Sequence, residues 1–108
     1  VKMATASLYI LARLWIHQGR QAEFEAYETR MSRIMARYGG VIERAIRPSA
    51  TPEGPEQPFE VHVIKFPSRE LYDAYLDDAE RRSLSEERAA IIANSDVLVG
   101  APGPTYDP

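Results

Sequence analysis

One stretch of the chain passes from a run of strand-forming residues straight into a helix, with a single proline between them. Residues 60–66 read Glu-Val-His-Val-Ile-Lys-Phe, a composition that favours a β-strand. Pro67 cannot donate to a strand ladder, and Ser68 can cap the exposed N–H groups of a following helix. The sequence therefore predicts a strand that feeds directly into a helix, and the fold is predicted from this unit and an earlier one like it.

The earlier unit begins with a strand over residues 7–16 and continues as a helix over residues 20–38. The strand alternates, and one of its faces is wholly apolar: Leu8, Ile10, Ala12, Leu14 and Ile16. Large apolar side chains recur in the helix at helical spacing: Phe24, Tyr27, Met31, Ile34, Met35 and Tyr38. We expect Gly39 and Gly40 to end this helix, because glycine adopts the left-handed conformation without steric cost.

The remaining elements are predicted in order along the chain. They are a strand over 41–47, an exposed proline-rich loop over 48–58, a strand over 59–66, a helix from Ser68, a short helix, a strand over 95–99, and a tail over 100–108. Ser83 and Glu86 have the spacing of a capping box, which predicts that the short helix starts there. Asn94 is expected to end it.

This order predicts one α+β domain over residues 1–108, with its core at about 7–99. Two right-handed crossovers give a ferredoxin-like βαββαβ fold, a four-stranded antiparallel sheet with its helices on one face. The other face would carry Leu11, Trp15 and Val63, which are too apolar to lie open to water. We therefore expect two copies to press these faces together as a homodimer, a dimeric α/β barrel.

Charge and composition exclude several classes of function. The net charge of −3 leaves no basic footprint for nucleic acid, and the absence of cysteine removes disulfides and thiolate metal sites. The longest apolar segment, residues 8–16, is far below the roughly 20 residues that span a membrane. We expect a cytoplasmic protein with no nucleic acid or membrane partner, no metal and no cofactor.

Several motifs resemble those of one known family. They are Tyr9-Ile10 at the start of a strand, Glu23-Phe24 through Tyr27 in the first helix, Tyr38-Gly39-Gly40 at its end, Phe66-Pro67-Ser68, and the later Arg88. This pattern is similar to the DUF1330 family, within the dimeric α/β-barrel superfamily of ferredoxin-like dimers. The resemblance implies the fold and the dimer. It implies no single activity, because that superfamily includes cofactor-independent monooxygenases, isomerases, haem-associated enzymes and many proteins of unknown function.

His62 is the first candidate for chemistry, since it is an imidazole in a strand predicted to be central. It shares a strand face with Ile64 and Phe66, so it can point between the sheet and the helices, where Tyr27 and Tyr72 converge. There it would act as a proton acceptor for a small aromatic substrate. The alternative is a structural histidine that is hydrogen-bonded to a neighbour.

Two other groups are candidate ligand-binding residues. Arg13 and Trp15 share the opposite strand face and can bind a planar anion at the dimer interface. The alternative for Arg13 is an ion pair with Glu43 or Asp96. Arg88, which belongs to the family pattern, is either an anchor for the segment 77–83 or a ligand clamp.

Three functions stay open on the sequence alone. The first is an uncharacterised small-molecule enzyme, a cofactor-independent monooxygenase or isomerase acting on a small aromatic or carboxylate compound. The second is a non-catalytic homodimer that binds a ligand or serves a stress response, and the third is a purely structural association domain. A polar cavity around His62 favours the first, and a solid apolar core there excludes it.

Overall fold

Within residues 7–49 and 56–108, which the computed structural model describes, the chain forms four strands and four helices. In order they are β1 (Leu8–Ile16), α1 (Gln21–Ala36), β2 (Val41–Ile46), β3 (Glu60–Phe66), α2 (Arg69–Leu76), α3 (Ala79–Ser83), α4 (Ser85–Ile91) and β4 (Ile92–Gly100). Part of the predicted proline-rich loop, residues 50–55, lies outside this range. No helix in the described part combines the length and hydropathy needed to cross a bilayer.

The strands form one antiparallel sheet in the order β2-β3-β1-β4. This is the predicted ferredoxin-like arrangement. The register places Ala12 at the centre, opposite His62 of β3 on one side and Val97 of β4 on the other. Two residues further along β1, on the same face, Leu14 lies between Glu60 of β3 and Ser95 of β4 in the same way. Residues of β3 and β4 that face a common residue of β1 therefore lie on the same level of the sheet.

The core lies between the sheet and the helices. We call the sheet face that contacts the helices the inner face and the opposite one the outer face. Buried apolar side chains from the inner face and the helices form a single cluster: Ile10, Ala12, Leu14, Phe24, Tyr27, Met31, Ile34, Met35, Ile64, Phe66, Tyr72, Tyr75, Leu84, Ile91 and Ile92. The alternation predicted for β1 and the stripe predicted for α1 account for much of this cluster.

The helix ends fit closely against the second strand–helix unit. Gly39 has φ of 75°, and a Cβ there would lie 2.7 Å from Cγ of Pro67. A Cβ on Gly40 would overlap both Met35 and the ring of Phe66. Ser68 caps α2 as predicted, because its Oγ accepts a hydrogen bond from the backbone N–H of Leu71 at 3.2 Å. Glycine is required at both positions by space and not only by backbone conformation.

The region before the last strand differs from the prediction. Two short helices occupy it, and Ser83 ends the first of them, with its Oγ donating to the carbonyl of Glu80 at 2.6 Å. Ser83 therefore does not cap α4, whose N-cap is Leu84 with no side-chain hydrogen bond. Asn94 does not end a helix, because it pairs with Trp15 inside β4. The long partner strand β1 extends β4 toward its N-terminus.

Candidate functional site

A cavity of about 110 Å³, partly open to solvent, lies between the inner face of the sheet and the helices. Its walls are apolar on the whole but contain several polar groups. The polar side chains that line it are Tyr27, Glu28, His62, Tyr72, Tyr75, Arg81, Arg88 and Ser95. A mainly apolar cavity with a few polar groups is the usual form of a small-molecule site.

The cavity exists because β1 carries a small side chain at its centre. Ala12 lines the cavity and is flanked along the inner face by the larger Ile10 and Leu14. Its cross-strand neighbours, His62 and Val97, also line the cavity. The methyl group of Ala12 therefore forms the floor, with His62 on one side of it and β4 on the other.

His62 is buried and hydrogen-bonded to the carboxyl group of Glu60, the next residue on the same face of β3. Its Nε2 lies 2.5 Å from Oε2 of Glu60, and the His62 side chain is only 3% exposed. Oε1 of Glu60 accepts a hydrogen bond from Nε of Arg47 at 2.9 Å. Arg47 in turn donates to Glu25 of α1 at 2.7 Å. A line of hydrogen bonds thus leads from the protein surface to the imidazole.

These contacts decide which nitrogen of His62 is free. The Glu60 carboxylate, which already accepts from Arg47, also accepts from Nε2, so we assign the ring hydrogen to Nε2. Nδ1 then carries the lone pair, and it lies 4.0 Å from Oε2 of Glu28, another lining residue. Glu60 holds the ring in the tautomer whose other nitrogen can accept a proton from a ligand.

Glu28 contributes a carboxyl group to the same wall. Burial raises the pKa of Glu28, the nearby His62 lowers it, the charge of Glu60 raises it, and Arg88 lowers it. The net shift is upward, so the side chain keeps its proton to a higher pH than an exposed glutamate would. The raised pKa extends to higher pH the range in which Glu28 can donate a hydrogen bond as well as accept one.

The tyrosines predicted to converge here do so. Tyr27 and Tyr72 both line the cavity, together with Tyr75. Burial raises the pKa of Tyr27 to about 12, against the opposing effect of the Arg88 charge, and burial also raises the pKa of Tyr75. Because the hydroxyls of Tyr27 and Tyr75 stay protonated at neutral pH, they are available as hydrogen-bond donors to a ligand.

Two arginines line the same cavity. Arg88 donates through Nη2 to Oγ of Ser95 in β4 at 2.8 Å, and not to the segment 77–83 that it was expected to anchor. Arg81 instead contacts that region, by donating from Nη1 to the carbonyl of Leu76 at 3.1 Å. Its guanidinium lies over the ring of Tyr75 at 4.9 Å. The side-chain hydrogen bond of Arg88 therefore goes to β4 and does not anchor the segment 77–83 as predicted.

The outer face carries the second predicted group, away from the cavity. Arg13 forms two hydrogen bonds with Asp96, from Nε to Oδ1 at 2.8 Å and from Nη2 to Oδ2 at 2.6 Å. The Arg13 guanidinium also lies over the Trp15 ring at 5.6 Å. The ion pair with Asp96 was the alternative weighed for Arg13, and it is confirmed. The donors that a planar anion would need are thus already bonded to a carboxylate of the same chain.

Sequence reasoning did not identify Glu60, Glu28 or Arg81 as site residues. Glu60 could have been found, because strand period places it on the face of His62 two positions earlier. Glu28 follows Tyr27 directly, but the helical wheel assigned it to the polar side. Within 7–49 and 56–108, no three histidine or carboxylate side chains group so as to hold a metal ion.

Several solved structures share this fold. A protein of unknown function from Rhodopseudomonas palustris aligns with a TM-score of 0.78 and 16% identity, over 93% of this chain and 85% of that one. SnoaB, a cofactor-independent oxygenase from Streptomyces nogalater, aligns with a TM-score of 0.70 and 18% identity, over 94% and 97% of the two chains. A dabb family protein with a ferredoxin-like fold from Mesorhizobium loti aligns at 0.66 and 13%, over 93% and 100%. At these identities the similarity establishes the fold alone.

The sequence itself matches a family profile. No protein of curated function matches it. The profile described as "Domain of unknown function (DUF1330)" matches residues 7–101, which include every strand and helix of the structure. This is the family that the motifs around Gly39, Pro67 and Arg88 resemble. The chain therefore belongs to the DUF1330 family.

Proposed function

We propose that the protein is a small-molecule enzyme in which His62 removes a proton from a small aromatic or carboxylate compound bound in the cavity. One observation carries the proposal: His62 is buried beside the cavity with Nε2 fixed by Glu60 and Nδ1 free. A structural histidine would also need a hydrogen-bonded neighbour when buried, so the distinguishing feature is Nδ1, which makes no hydrogen bond within the described part of the chain. The pairing of a base with a carboxylate that orients it is a recurrent feature of general-base sites.

The chemistry follows from the groups that surround the imidazole. Nδ1 of His62 accepts a proton from a hydroxyl group or from a carbon next to a carbonyl, and the Glu60 carboxylate stabilises the imidazolium that forms. Tyr27 and Tyr72 line the same cavity, and their side chains can orient the substrate. Return of the proton to another carbon gives an isomerase. Attack of the substrate anion on dioxygen, with one oxygen atom retained and the other released as water, converts a methylene to a carbonyl and gives a cofactor-independent oxygenase.

The structural neighbours support this range of reactions without choosing within it. SnoaB is a cofactor-independent oxygenase with the same fold. Its identity of 18% to this chain carries no residue role across. The case for proton removal therefore rests on His62 and Glu60 of this chain.

The test starts from a thermal-shift screen of hydroxylated aromatics, quinones and small carboxylates against the purified protein. Compounds that stabilise it are then incubated with the protein in D₂O and in an oxygen-electrode cell. We expect proton exchange or oxygen uptake with the wild type and a loss of about 100-fold or more in His62→Gln. His17→Gln is the matched control, because His17 is exposed and its ring Nε2 hydrogen-bonds to the backbone carbonyl of Ala89, away from the cavity-lining residues.

Three results would decide against the proposal. Turnover that is unchanged in His62→Gln would remove the histidine from the chemistry. A compound that binds the wild type with no exchange and no oxygen uptake would favour the non-catalytic ligand-binding alternative. If nothing in the screen binds, the structural role becomes the better description.

We also propose that the outer face of the sheet binds a second copy of the chain. Leu98 is 67% exposed there, opposite Leu11 in the register, and Val63 lies on the other side of Leu11. A row of apolar residues across an open sheet face is self-complementary about a two-fold axis, which supports a homodimer. Leu98→Lys should lower the mass measured by light scattering from dimer to monomer, and a wild type that is monomeric at high concentration would refute the proposal.

A further inference from the structure

We propose that the cavity binds its ligand by a carboxylate group, held by Arg81, Arg88 and Ser95, of which Arg88 and Ser95 lie across β1 from His62. The inference rests on the proposed function only for the position of the reacting end. The ligand class is an organic monoanion about the size of a single ring. The binding end of this site is independent of any turnover and can be tested without it.

The first observation is that both cavity arginines lack an anionic partner. Among the residues that the structure describes, no carboxylate oxygen lies within 4.0 Å of Arg81 or Arg88, although most other arginines have one. The other two arginines of the described part that lack such a partner, Arg33 and Arg44, are exposed to solvent. Arg81 and Arg88 are half-buried, and an arginine that is drawn partly out of water usually has a carboxylate or phosphate partner. Two such arginines in one cavity indicate that an anion is supplied from outside.

The second observation is an unsatisfied donor. Nε of Arg81 is shielded from solvent and has no hydrogen-bond partner in the described part of the chain. A shielded N–H without an acceptor is costly, and such groups are uncommon in native proteins. A carboxylate oxygen in the cavity would supply the missing acceptor. Ser95, whose hydroxyl accepts from Arg88, can donate its own hydrogen to the second oxygen of the same group.

The third observation is the electrostatic character of the cavity. The charge of Arg88 opposes the effect of burial on the pKa of both Tyr27 and Glu28, so its positive field reaches across the cavity. Glu28 also lines the cavity, and its raised pKa means that it carries less negative charge at a given pH than an exposed glutamate would. A ligand carboxylate would enter a site that is already positive and partly dry, where an ion pair is stronger than in water.

The sheet sets the distance between the two ends of the site. Ser95 and Glu60 both lie opposite Leu14, one on each side, so two strand spacings of about 4.8 Å separate their backbones by about 10 Å. His62 is adjacent to Glu60 on the inner face, and Arg88 is bonded to Ser95. Ser95 and the Arg88 guanidinium bonded to it therefore lie on the opposite side of β1 from His62.

The volume of the cavity limits the size of the ligand. A cavity of about 110 Å³ is somewhat smaller than the roughly 150 Å³ cavity that holds a benzene molecule in an engineered protein core. A ring with one carboxylate and one small reacting group fits if one end reaches the opening. A fused polycyclic compound does not fit without movement of the walls.

The experiment compares matched pairs of charged and uncharged probes. Benzoate, 4-hydroxybenzoate and cyclohexanecarboxylate are titrated by NMR and calorimetry beside their primary amides. We expect at least one acid to bind about tenfold or more tightly than its amide, and Arg88→Met and Arg81→Met to remove that preference. Arg82→Met is the control, because Arg82 follows Arg81 directly but is 69% exposed and pairs with Asp77. Arg88→Lys should restore part of the preference, and circular dichroism checks that each variant is folded.

Failure of this inference can be told apart from failure of the proposed function. His62→Gln should keep the preference for the acid while losing turnover, because His62 lies at the other end of the cavity. Equal binding of acids and amides across the panel, including no binding of either, would overturn the carboxylate assignment. An effect of Arg82→Met as large as that of Arg88→Met would also overturn it.

Discussion

Two hydrogen-bonded side-chain pairs, one on each face of the sheet, differ mainly in burial. On the outer face, Arg13 and Asp96 pair across β1 and β4, with side chains 49% and 45% exposed. On the inner face, His62 and Glu60 pair along β3, with side chains 3% and 9% exposed. The Arg13–Asp96 contact is as well aligned as the other, with two hydrogen bonds. Hydrogen-bond geometry alone therefore does not distinguish an exposed surface ion pair from a pair in a candidate active site.

The difference lies in what each group would bond to if its partner were removed. Arg13 and Asp96 can turn to water, so their pairing fixes little and is screened by salt. His62 and Glu60 have little access to water, so the imidazole depends on Glu60 for its hydrogen bond and Oε2 of Glu60 depends on His62. Burial converts an ordinary pair into one that fixes the imidazole, which is what a general base requires.

The largest contrast between the faces should come from Phe66→Ala and Val63→Ala, two substitutions in the same strand. Phe66 is fully buried on the inner face against Tyr72 and Tyr75, whereas Val63 is half-buried on the outer face. We expect Phe66→Ala to lower the free energy of unfolding by about 3–5 kcal/mol and Val63→Ala by about 1 kcal/mol. Urea denaturation measures both. Equal losses would mean that the outer face is as well packed as the core.

The next contrast compares the two pairs directly. Glu60→Ala removes the partner of a buried imidazole and should cost about 2–3 kcal/mol in urea denaturation. Asp96→Ala should leave the denaturation midpoint almost unchanged, since Arg13 is then solvated. The double variant Glu60→Leu/His62→Leu should recover much of the loss, because it leaves no buried polar group unpaired. A double variant as unstable as Glu60→Ala would show that the cost arises from packing.

A smaller effect on stability, with a large effect on binding, is expected from Ala12→Leu. The added side chain projects from the floor of the cavity and should abolish binding of any ligand that the thermal-shift screen identifies. The substitution should lower the free energy of unfolding by only about 1–2 kcal/mol, because the added side chain partly fills a void. Ala93→Leu, at an exposed position of β4, is the control. Ligand binding that survives Ala12→Leu would place the ligand elsewhere.

The smallest contrast is in pH dependence. Burial raises the pKa of Glu28 above its ordinary 4.5, so the folded state holds this proton more tightly than the unfolded state does. Stability is therefore lost as the pH rises from 4.5 through the folded pKa. Glu28→Gln has no such proton to lose and should become more stable relative to wild type over that range.

Unfolding measured from pH 4 to pH 8 tests this. Glu23→Gln is the control, because Glu23 is an exposed carboxylate on the same helix. If the stability difference between wild type and Glu28→Gln does not change with pH, the upward shift in the pKa of Glu28 is contradicted.

The fold was predictable because the residues that start and end its helices and strands act locally. Pro67, Ser68 and Gly39 each act through their own backbone or their nearest neighbours, and all three end or begin an element where the sequence places it. Strand alternation likewise put His62 on the inner face. The failure at Ser83 has the same root, since a capping box is only a spacing, and here the serine hydroxyl bonds backward into α3.

The site was less predictable because it depends on contacts distant in sequence. Arg47 reaches Glu60 and Glu25 from beyond the end of β2, and no spacing rule brings these three together. Similarly, Arg81 and Arg88 lie in consecutive short helices, and the course of the chain between Leu76 and Ile92 decides what each contacts. Periodicity assigns a residue to a face, but it does not say which residue on that face completes a site.

The close fit of Gly39 and Gly40 against Pro67 and Phe66 has a consequence for ligand size. With no room for even a methyl group at this junction, α1 and β3 are clamped together at one end and cannot separate there. The opposite wall is built from α3, which buries no side chain, and α4, which buries only Ile91. One wall of the cavity is therefore fixed by close packing, whereas the wall formed by α3 and α4 can vary. Differences in ligand size among relatives should be concentrated in residues 77–91.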